Sequence, residues 1–228
     1  MSQTGKYQDS TVVITGANRG IGLELASAFK SESAQVIGVC RTSSEELDEL
    51  ADMVIEGVQV DQPASVAMLK DRLSEHSIDI LVNNAGILEH EVLGAINYES
   101  VEAQFRVNAL APLQITEALL ERLNPGAKLA FITSRMGSIS DNGSGSYYGY
   151  RMSKAALNAA AKSLSHDLSD KGISVAILHP GFVQTAMVGY AGDISPAQAA
   201  SRLMARISEL NPSNSGTFWH SDGQILPW

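Results

Sequence analysis

Residues 11–22 read TVVITGANRGIG, in which a β-branched run is followed at once by three closely spaced glycines. The run from Thr11 to Thr15 is typical of a buried β-strand, and the spacing of Leu25 and Phe29 just beyond predicts a helix. Glycine between a strand and a helix lets the backbone turn sharply and lets a pyrophosphate approach the amides of the helix start. The stretch therefore predicts a nucleotide-binding loop, with the spacing Gly-x-x-x-Gly-x-Gly rather than Gly-x-Gly-x-x-Gly.

Outward from this unit, strand-like and helix-like segments alternate along the chain without a linker or a low-complexity break. Strict alternation implies right-handed crossovers and a parallel sheet that helices cover on both faces. We therefore predict an α/β fold, with a single doubly wound Rossmann domain over residues 1–228 and a parallel seven-stranded sheet. The predicted strands are 11–15, 35–40, 57–60, 80–83, 128–133, 174–178 and 217–219. The predicted helices are 21–30, 44–50, 64–74, 101–123, 149–168 and 196–210.

The composition excludes several classes of function. The formal net charge of −9 argues against a surface for nucleic acid or for an anionic membrane. The single cysteine, Cys40, cannot form an internal disulfide, which suits a reducing compartment. The polar residues 1–6 contain no signal-peptide core, and no apolar run reaches membrane-spanning length. We expect a soluble, cytoplasmic protein.

Tyr150 and Lys154 form the most informative pair of side chains outside the glycine loop. They lie four residues apart in an alanine-rich segment, so that a helix would place them on the same face. An ammonium beside a phenol favours the phenolate and lowers a pKa that is ordinarily about 10. The pair therefore predicts a general acid for carbonyl chemistry, although any helix surface can present a tyrosine and a lysine at this spacing.

Five motifs in order resemble the short-chain dehydrogenase/reductase family over nearly the whole chain. They are the glycine loop 15–22, the Asn-Asn-Ala-Gly run 83–86, Asn108, the Tyr-x-x-x-Lys segment 150–154 and the Pro-Gly pair 180–181. The ending 216–228 is similar to the branch that contains bacterial C-factor and insect sniffer-type carbonyl reductases. The resemblance implies reduction of aldehydes or ketones to alcohols by hydride transfer from a nicotinamide.

By this resemblance, Tyr150 is the acid in reduction, and Lys154 lowers its pKa and bonds to the nicotinamide ribose. Asn108 would hold a water that links Lys154 to solvent. Ser134, at the end of a predicted strand, would donate a hydrogen bond to the substrate oxygen. Ser138 lies nearer the family's usual distance from the tyrosine and is its rival for that role.

NADPH is expected rather than NADH. The second predicted strand ends Val39-Cys40-Arg41, without the acid that bonds a ribose 2′-hydroxyl, whereas Arg19 and Arg41 can bind a 2′-phosphate. The residues predicted to hold the cofactor are Gly16, Asn18, Arg19, Gly20, Ile21, Arg41, Asp61, Gln62, Asn84, Ala85, Gly86, Tyr150, Lys154, Pro180, Gly181, Val183 and Thr185.

The substrate is expected to be a small, apolar carbonyl or alcohol in an open pocket, because the substrate loop at about residues 182–195 is short. The expected lining residues are Leu88, His90, Met136, Met187 and Tyr190. His90 and His179 lack spaced partners, so no metal is predicted. The family also implies a homodimer or homotetramer. Two alternatives stay open: a C-factor-type signalling protein that binds cofactor with little turnover, and an alcohol dehydrogenase working in the oxidative direction.

Overall fold

The computed structural model describes residues 5–228, over which strands and helices alternate as the sequence predicts. The strands are β1 (Thr11–Thr15), β2 (Gln35–Val39), β3 (Met53–Ile55), β4 (Ile78–Asn83), β5 (Leu123–Ile132), β6 (Ser174–His179) and β7 (Thr217–His220). The α-helices are α1 (Gly20–Ser31), α2 (Glu45–Leu50), α3 (Pro63–Arg72), α4 (Tyr98–Phe105), α5 (Ala111–Ala118), α6 (Tyr148–Asp167) and α7 (Pro196–Glu209). The absence of a signal peptide was predicted from residues 1–6, of which residues 1–4 lie outside the described part.

All seven strands of the described sheet are parallel, in the order β3-β2-β1-β4-β5-β6-β7. The order reverses between β1 and β4, so the loops that follow these two strands diverge to opposite sides of the sheet. Ligands of doubly wound folds bind at such a reversal, at the carboxyl ends of the strands. The predicted α/β fold with a parallel seven-stranded sheet is confirmed.

Helices cover both faces of the sheet with separate apolar layers. On one face, Leu25 and Phe29 of α1 pack with Leu203 and Ile207 of α7, and all four are fully buried. On the other face, the buried core includes Leu157 of α6. Burial on both sides explains why the central strands are nearly continuous Val, Ile and Leu runs rather than alternating patterns.

The predicted third strand at 57–60 is wrong. The strand is Met53–Ile55, which pairs with Ile37–Val39 of β2. Gly57 adopts φ +83°, a left-handed conformation that breaks an extended strand. The alternating apolar residues after Gly57 are not part of a strand. One of them, Val60, lines the cleft described below.

The predicted continuous helix at 101–123 is also wrong. A π-helical turn at Arg106–Leu110 separates α4 from α5, and a short 3-10 turn leads directly into β5 at Leu123. Pro112 has no N–H to donate to the carbonyl of Asn108 four residues earlier, so regular helical bonding is interrupted there. The early start of β5 includes an irregularity at residues 124–127, since Ile78 pairs with Leu123 whereas Ile80 pairs with Lys128.

Within residues 5–228, no helix combines the length and the apolar character needed to cross a lipid bilayer.

Candidate active site

A cleft of about 810 Å³ follows the carboxyl ends of the strands, from the glycine loop to the first turns of α6. All but three of the residues predicted to hold the cofactor line it. Those that do are Gly16, Asn18, Arg19, Gly20, Ile21, Arg41, Asp61, Asn84, Ala85, Gly86, Tyr150, Lys154, Pro180 and Thr185. The three that do not are Gln62, Gly181 and Val183. The volume of the cleft lies in the range of small-molecule and cofactor pockets.

The exceptions have visible local roles. Gln62 directly precedes α3, and its side chain donates to Asp61 Oδ2 at 3.3 Å. Val183 is buried and forms a bridge to Ile194, and Gly181 turns with φ +100° against the same isoleucine. These contacts fold the 182–195 segment back on itself at the edge of the cleft.

The glycine loop needs its glycines for both conformation and space. Gly16 and Gly20 have φ of +66° and +55°, and a Cβ on Gly22 would lie 2.1 Å from the carbonyl oxygen of Gly16. The loop therefore passes directly over the first turn of α1, a 12-residue helix. Helix starts of this kind present free backbone N–H groups and a positive dipole to an anion.

The end of β4 locks this loop in place. Asn84 Nδ2 donates to the carbonyls of Thr15 and Gly16 at 3.0 and 3.1 Å. The Thr15 hydroxyl in turn accepts from the backbone N–H groups of Asn84 and Ala85 at 3.0 and 3.1 Å. The Asn-Asn-Ala-Gly motif therefore holds the turn that faces the cofactor cleft.

The far corner of the cleft carries two arginines. Arg19 and Arg41 are exposed, and the salt bridges found within residues 5–228 involve neither. Asn18 Nδ2 donates to the carbonyl of Thr42 at 2.9 Å, which ties the glycine loop to the segment after β2. Both guanidinium groups therefore stay available for an anionic ligand group.

At the other end, Tyr150 and Lys154 project from one face of α6 and are 8% and 4% exposed. The Lys154 Nζ lies 5.7 Å from the centroid of the Tyr150 ring and donates to the carbonyl of Ile132 at 2.9 Å. Helical spacing brings the pair together, and β5 holds the amine from below. The spacing prediction thus corresponds to two buried, neighbouring side chains.

The pKa of Tyr150 does not shift in the expected direction. Burial raises the pKa of Tyr150 to about 12, and only the hydrogen bond with Ser134 acts against it. Burial also lowers the pKa of Lys154 to about 8. The expectation of a lowered phenol pKa is wrong for this structure, because desolvation dominates and the amine bonds to Ile132 rather than to the phenol.

Ser134 reaches Tyr150 because a tight turn follows β5. Its hydroxyl accepts from Met136 N at 3.1 Å and starts the 3-10 turn Arg135–Gly137. A Cβ on Gly137 would lie 2.7 Å from the carbonyl carbon of Lys154, so only glycine lets this turn approach α6 so closely. This close approach brings the Ser134 hydroxyl near enough to the phenol to oppose the rise in the pKa of Tyr150.

The hydroxyl of Ser138 has different partners from that of Ser134. It is buried, donates to the carbonyl oxygen of Trp228 at 3.0 Å and accepts from Asp141 N at 3.2 Å. Both hydrogen bonds tie the turn after β5 to other backbone segments. The Ser138 hydroxyl therefore donates its proton to a backbone carbonyl, whereas the backbone bond of the Ser134 hydroxyl is one that it accepts.

Asn108 lies in the π-helical turn and is completely buried. Its Oδ1 accepts from Ile87 N at 2.8 Å, and its Nδ2 donates to Ile87 O at 2.8 Å and to Ser153 Oγ at 3.0 Å. Ser153 Oγ then donates to the carbonyl of Tyr150 at 2.8 Å. The amide thus joins the loop after β4 to α6, and both of its N–H groups are engaged.

Only two of the five residues expected to line the substrate pocket lie in the lining of the cleft. Met187 and Tyr190 line the cleft and are 46% and 71% exposed. The rings of His90 and Tyr147 contact each other in a tilted arrangement, with their centroids 4.3 Å apart, outside the cleft lining. Leu88 and Met136 are also absent from the lining. Within residues 5–228, no group of three or more potential metal ligands is clustered.

Sequence reasoning missed several residues of the cleft. Most of them directly follow strands or end them, which is where doubly wound folds bind ligands, so the strand assignments could have indicated them. They are Val39, Cys40, Thr42, Val58, Val60, Ile132 and Thr133.

Comparison with known proteins identifies the family. The model of the short chain dehydrogenase family matches residues 10–195, and the chain therefore belongs to that family. The resemblance predicted from the motifs is confirmed.

Two relatives are similar to large parts of this chain. A protein of Rhodococcus sp. strain AD45 named 1-hydroxy-2-glutathionyl-2-methyl-3-butene dehydrogenase is 39% identical over 225 residues, covering 96% of this chain and 100% of the relative. The C-signal of Myxococcus xanthus is 42% identical over 154 residues, covering 66% of this chain and 93% of that relative.

Two solved structures share the fold across nearly the full length. Carbonyl reductase Sniffer of D. melanogaster is 28% identical with a TM-score of 0.90, and 97% of this chain and 100% of that chain are covered. An NADPH-bound carbonyl reductase from chicken fatty liver is 27% identical with a TM-score of 0.86, at the same coverage.

Substitution distinguishes the predicted roles of Ser134 and Ser138. We expect Ser134→Ala to lower carbonyl turnover by about 10²–10³-fold, because a hydrogen-bond donor to the developing negative charge is lost. Ser138→Ala should mainly lower the free energy of unfolding, by about 1 kcal/mol, through its lost backbone bonds. Steady-state rates and thermal unfolding of both variants measure this. Near-full turnover in Ser134→Ala together with loss of turnover in Ser138→Ala would reverse the assignment.

Proposed function

We propose that this chain is an NADPH-dependent oxidoreductase that reduces aldehyde and ketone carbonyls to alcohols. The observation that carries the proposal is the buried Tyr150 phenol, beside Ser134 and one helical turn from Lys154, at the end of a cleft that begins at the glycine loop. This arrangement combines a proton donor, a hydrogen-bond donor for an oxyanion and a cation at one place.

The residues of the cleft fit a phosphorylated dinucleotide. The start of α1 offers free amides under a glycine loop, and Arg19 and Arg41 offer unpaired cations at the corner where a 2′-phosphate would bind. Thr185 lies against Gly20 and would help to hold the nicotinamide half with Lys154. When bound, the nicotinamide would supply the hydride for the carbonyl carbon. The NADPH-bound carbonyl reductase of chicken supports this choice of cofactor.

The raised pKa of Tyr150 favours the reductive direction. With a pKa of about 12, the phenol is protonated at neutral pH and is ready to act as an acid. Ser134 would donate to the substrate oxygen while negative charge develops on it. Lys154 would stabilise the phenolate that forms as Tyr150 gives up its proton, since its own pKa of about 8 keeps it charged at neutral pH.

Proton return to Tyr150 is proposed to run from solvent, by way of a water near Asn108, to Lys154 and then to the phenolate. Both N–H groups of the Asn108 side chain already donate to other residues. A relay water would therefore bind other polar atoms of the π-helical turn and not these two N–H groups. The side chain itself would hold the loop after β4 against α6.

The proposed substrates are small and predominantly apolar. Met187 and Tyr190 line the cleft and are well exposed, and Phe182, in the same 182–195 segment, is 49% exposed. The 182–195 segment is short and is closed by a bridge between Val183 and Ile194, which leaves the substrate side open. An open apolar pocket discriminates weakly between close analogues.

Two other functions have support from relatives. The Rhodococcus relative is named a dehydrogenase, which supports oxidation of an alcohol by the same residues. The likeness to C-signal supports a signalling role with little turnover. Reduction remains the proposal because Tyr150 is protonated at neutral pH and because a purely binding protein would not need a buried phenol beside Ser134.

Substitution of the phenol tests the function. Tyr150→Phe removes the proton donor while keeping the ring, so we expect carbonyl turnover to fall by about 10²–10⁴-fold. NADPH affinity should persist, since the glycine loop and the arginines are unchanged. Loss of NADPH absorbance with a panel of aldehydes and ketones gives the rate, and a binding titration gives the affinity. Equal turnover in wild type and variant would refute Tyr150 as the acid, and no wild-type turnover on any substrate would favour signalling.

The cofactor preference depends on Arg41. We expect Arg41→Asp to shift the preference from NADPH toward NADH by roughly 10- to 100-fold, because a charge-assisted hydrogen bond to phosphate is replaced by repulsion. Ratios of kcat/KM for the two cofactors measure this. Arg72→Asp, at the exposed end of α3 and outside the cleft, is the matched control. An unchanged ratio in Arg41→Asp would contradict the proposed phosphate site.

The pH dependence of reduction should follow Lys154. Its pKa is lowered to about 8, so the ammonium is present below that pH and is lost above it. We therefore expect the reduction rate at saturating NADPH to be nearly constant below pH 8 and to decline above it. In Lys154→Arg the guanidinium stays charged, so whatever rate remains should not decline near pH 8. A wild-type profile without that decline, or the same decline in the variant, would count against the role of the ammonium.

A further inference from the structure

Glu91 is a buried carboxylate for which the proposed chemistry has no use. It lies in the loop after β4 and is 2% exposed. Its Oε1 accepts from Gln104 Nε2 at 2.5 Å and from Ser100 Oγ at 3.2 Å, and its Oε2 accepts from Gly149 N at 3.2 Å. The backbone carbonyl of Glu91 also accepts from Tyr147 N at 2.9 Å. One residue thus binds both α4 and the start of α6.

The start of α6 lacks a cap of its own. Tyr147, the residue before the helix, makes no capping hydrogen bond through its side chain. Ser146 and Tyr147 have φ of +53° and +54°, conformations that are unfavourable for residues with a Cβ and require support from their surroundings. The bond from Tyr147 to the Glu91 carbonyl and the bond from Gly149 to the Glu91 carboxylate provide that support. Glu91 therefore caps α6 from a distant part of the sequence.

Gly149 makes room for this contact. A Cβ there would lie 2.6 Å from Gln104 Nε2, 2.9 Å from Val101 Cα and 3.0 Å from Glu91 Oε1. The glycine is thus required by the close approach of α4 and Glu91 to the first turn of α6. Tyr150 is the next residue, so its backbone position is set by the same contact.

Three donors converge on the Glu91 side chain, which explains why it is a carboxylate. A glutamine would have to turn its own N–H group toward one of these donors, whereas a carboxylate only accepts. Among residues 5–228, none of the salt bridges involves Glu91, so its charge is balanced only by hydrogen bonds and by the positive end of α6. A buried charge without an ionic partner is costly, and stability alone would not favour it.

We propose that Glu91 is a positioning residue for the catalytic helix: it fixes the first turn of α6 and thereby the phenol of Tyr150. The proposal rests on the function proposed above, in which Tyr150 is the acid. A misplacement of a reacting group by about 1 Å can lower a rate by about 100-fold. The geometry of proton donation is therefore sensitive to a cap one residue away.

The first test is Glu91→Gln, which keeps the size of the side chain. We expect kcat at saturating NADPH to fall by about 10- to 100-fold, because the first turn of α6 loosens. The Kd for NADPH should stay near the wild-type value, because the glycine loop is held by Thr15 and Asn84 instead. Glu99→Gln, an exposed carboxylate in the first turn of α4, is the matched control and should keep its turnover.

The second test exchanges the two partners, as Glu91→Gln/Gln104→Glu. In the exchanged pair, residue 91 can still accept from Gly149 N while its amide donates to residue 104. The new carboxylate at 104 can accept that bond and keep the bond from Glu89 N, which Gln104 Oε1 accepts at 3.0 Å in the present structure. Gln104→Glu alone would place two carboxylates together and should also lower kcat. We expect the exchange to recover most of the turnover that either single variant loses, as a double-mutant cycle measures.

Hydrogen exchange separates this proposal from the proposed function. The amides of residues 149–151 should exchange faster in Glu91→Gln than in wild type, and normally in the exchanged variant, whatever reaction the protein catalyses. Should Glu91→Gln fail to fold, the exchanged variant is compared with Gln104→Glu alone. Wild-type exchange rates and kcat in Glu91→Gln, or an exchanged variant no better than the single variants, would overturn the role of Glu91. Wild-type turnover in Tyr150→Phe would instead overturn the proposed function.

Discussion

The close contact between the turn after β5 and helix α6 is the constraint on which the chemistry of the cleft depends. Gly137 leaves no room for a side chain against the backbone of Lys154, and both Tyr150 and Lys154 on this helix are buried. Desolvation then disfavours the charged form of each group, which raises the pKa of the phenol and lowers that of the amine. The site therefore holds a protonated acid beside a cation that is retained only up to about pH 8.

The loop after β4 supports this helix from the other side in a regular way. Alternate residues of the loop bond to partners one turn apart on the neighbouring helix: Ile87 to Asn108, and Glu89 to Gln104. Glu91 continues the series to Gln104 and to α6. The same segment begins at Asn84, which holds the glycine loop. One stretch of chain thus links the phosphate end of the cleft to the proposed proton donor.

The parallel sheet explains why such a short chain can bring these parts together. The carboxyl ends of β1, β4 and β5 are neighbours at one edge, so that the glycine loop, the Asn84 loop and the Ser134 turn meet there although they are far apart in sequence. The apolar groove formed by Val101, Phe105 and Met152 lies outside this edge, on α4 and α6. The expected homodimer or homotetramer stays a prediction.

The sequence by itself determined the strand–glycine–helix unit, the alternation that gives a parallel sheet, and the presence of Tyr150 and Lys154 on one helical face. These features depend on local periodicity and on glycine at fixed positions, which a sequence displays directly. Tertiary structure decided the features that depend on contacts between elements distant in sequence. The third strand is 53–55 because it pairs with β2, and the long helix is interrupted where Asn108 bonds to Ile87. The direction of the pKa shift of Tyr150 and the capping role of Glu91 depend on burial and on partners from other elements, so no spacing rule could have indicated them.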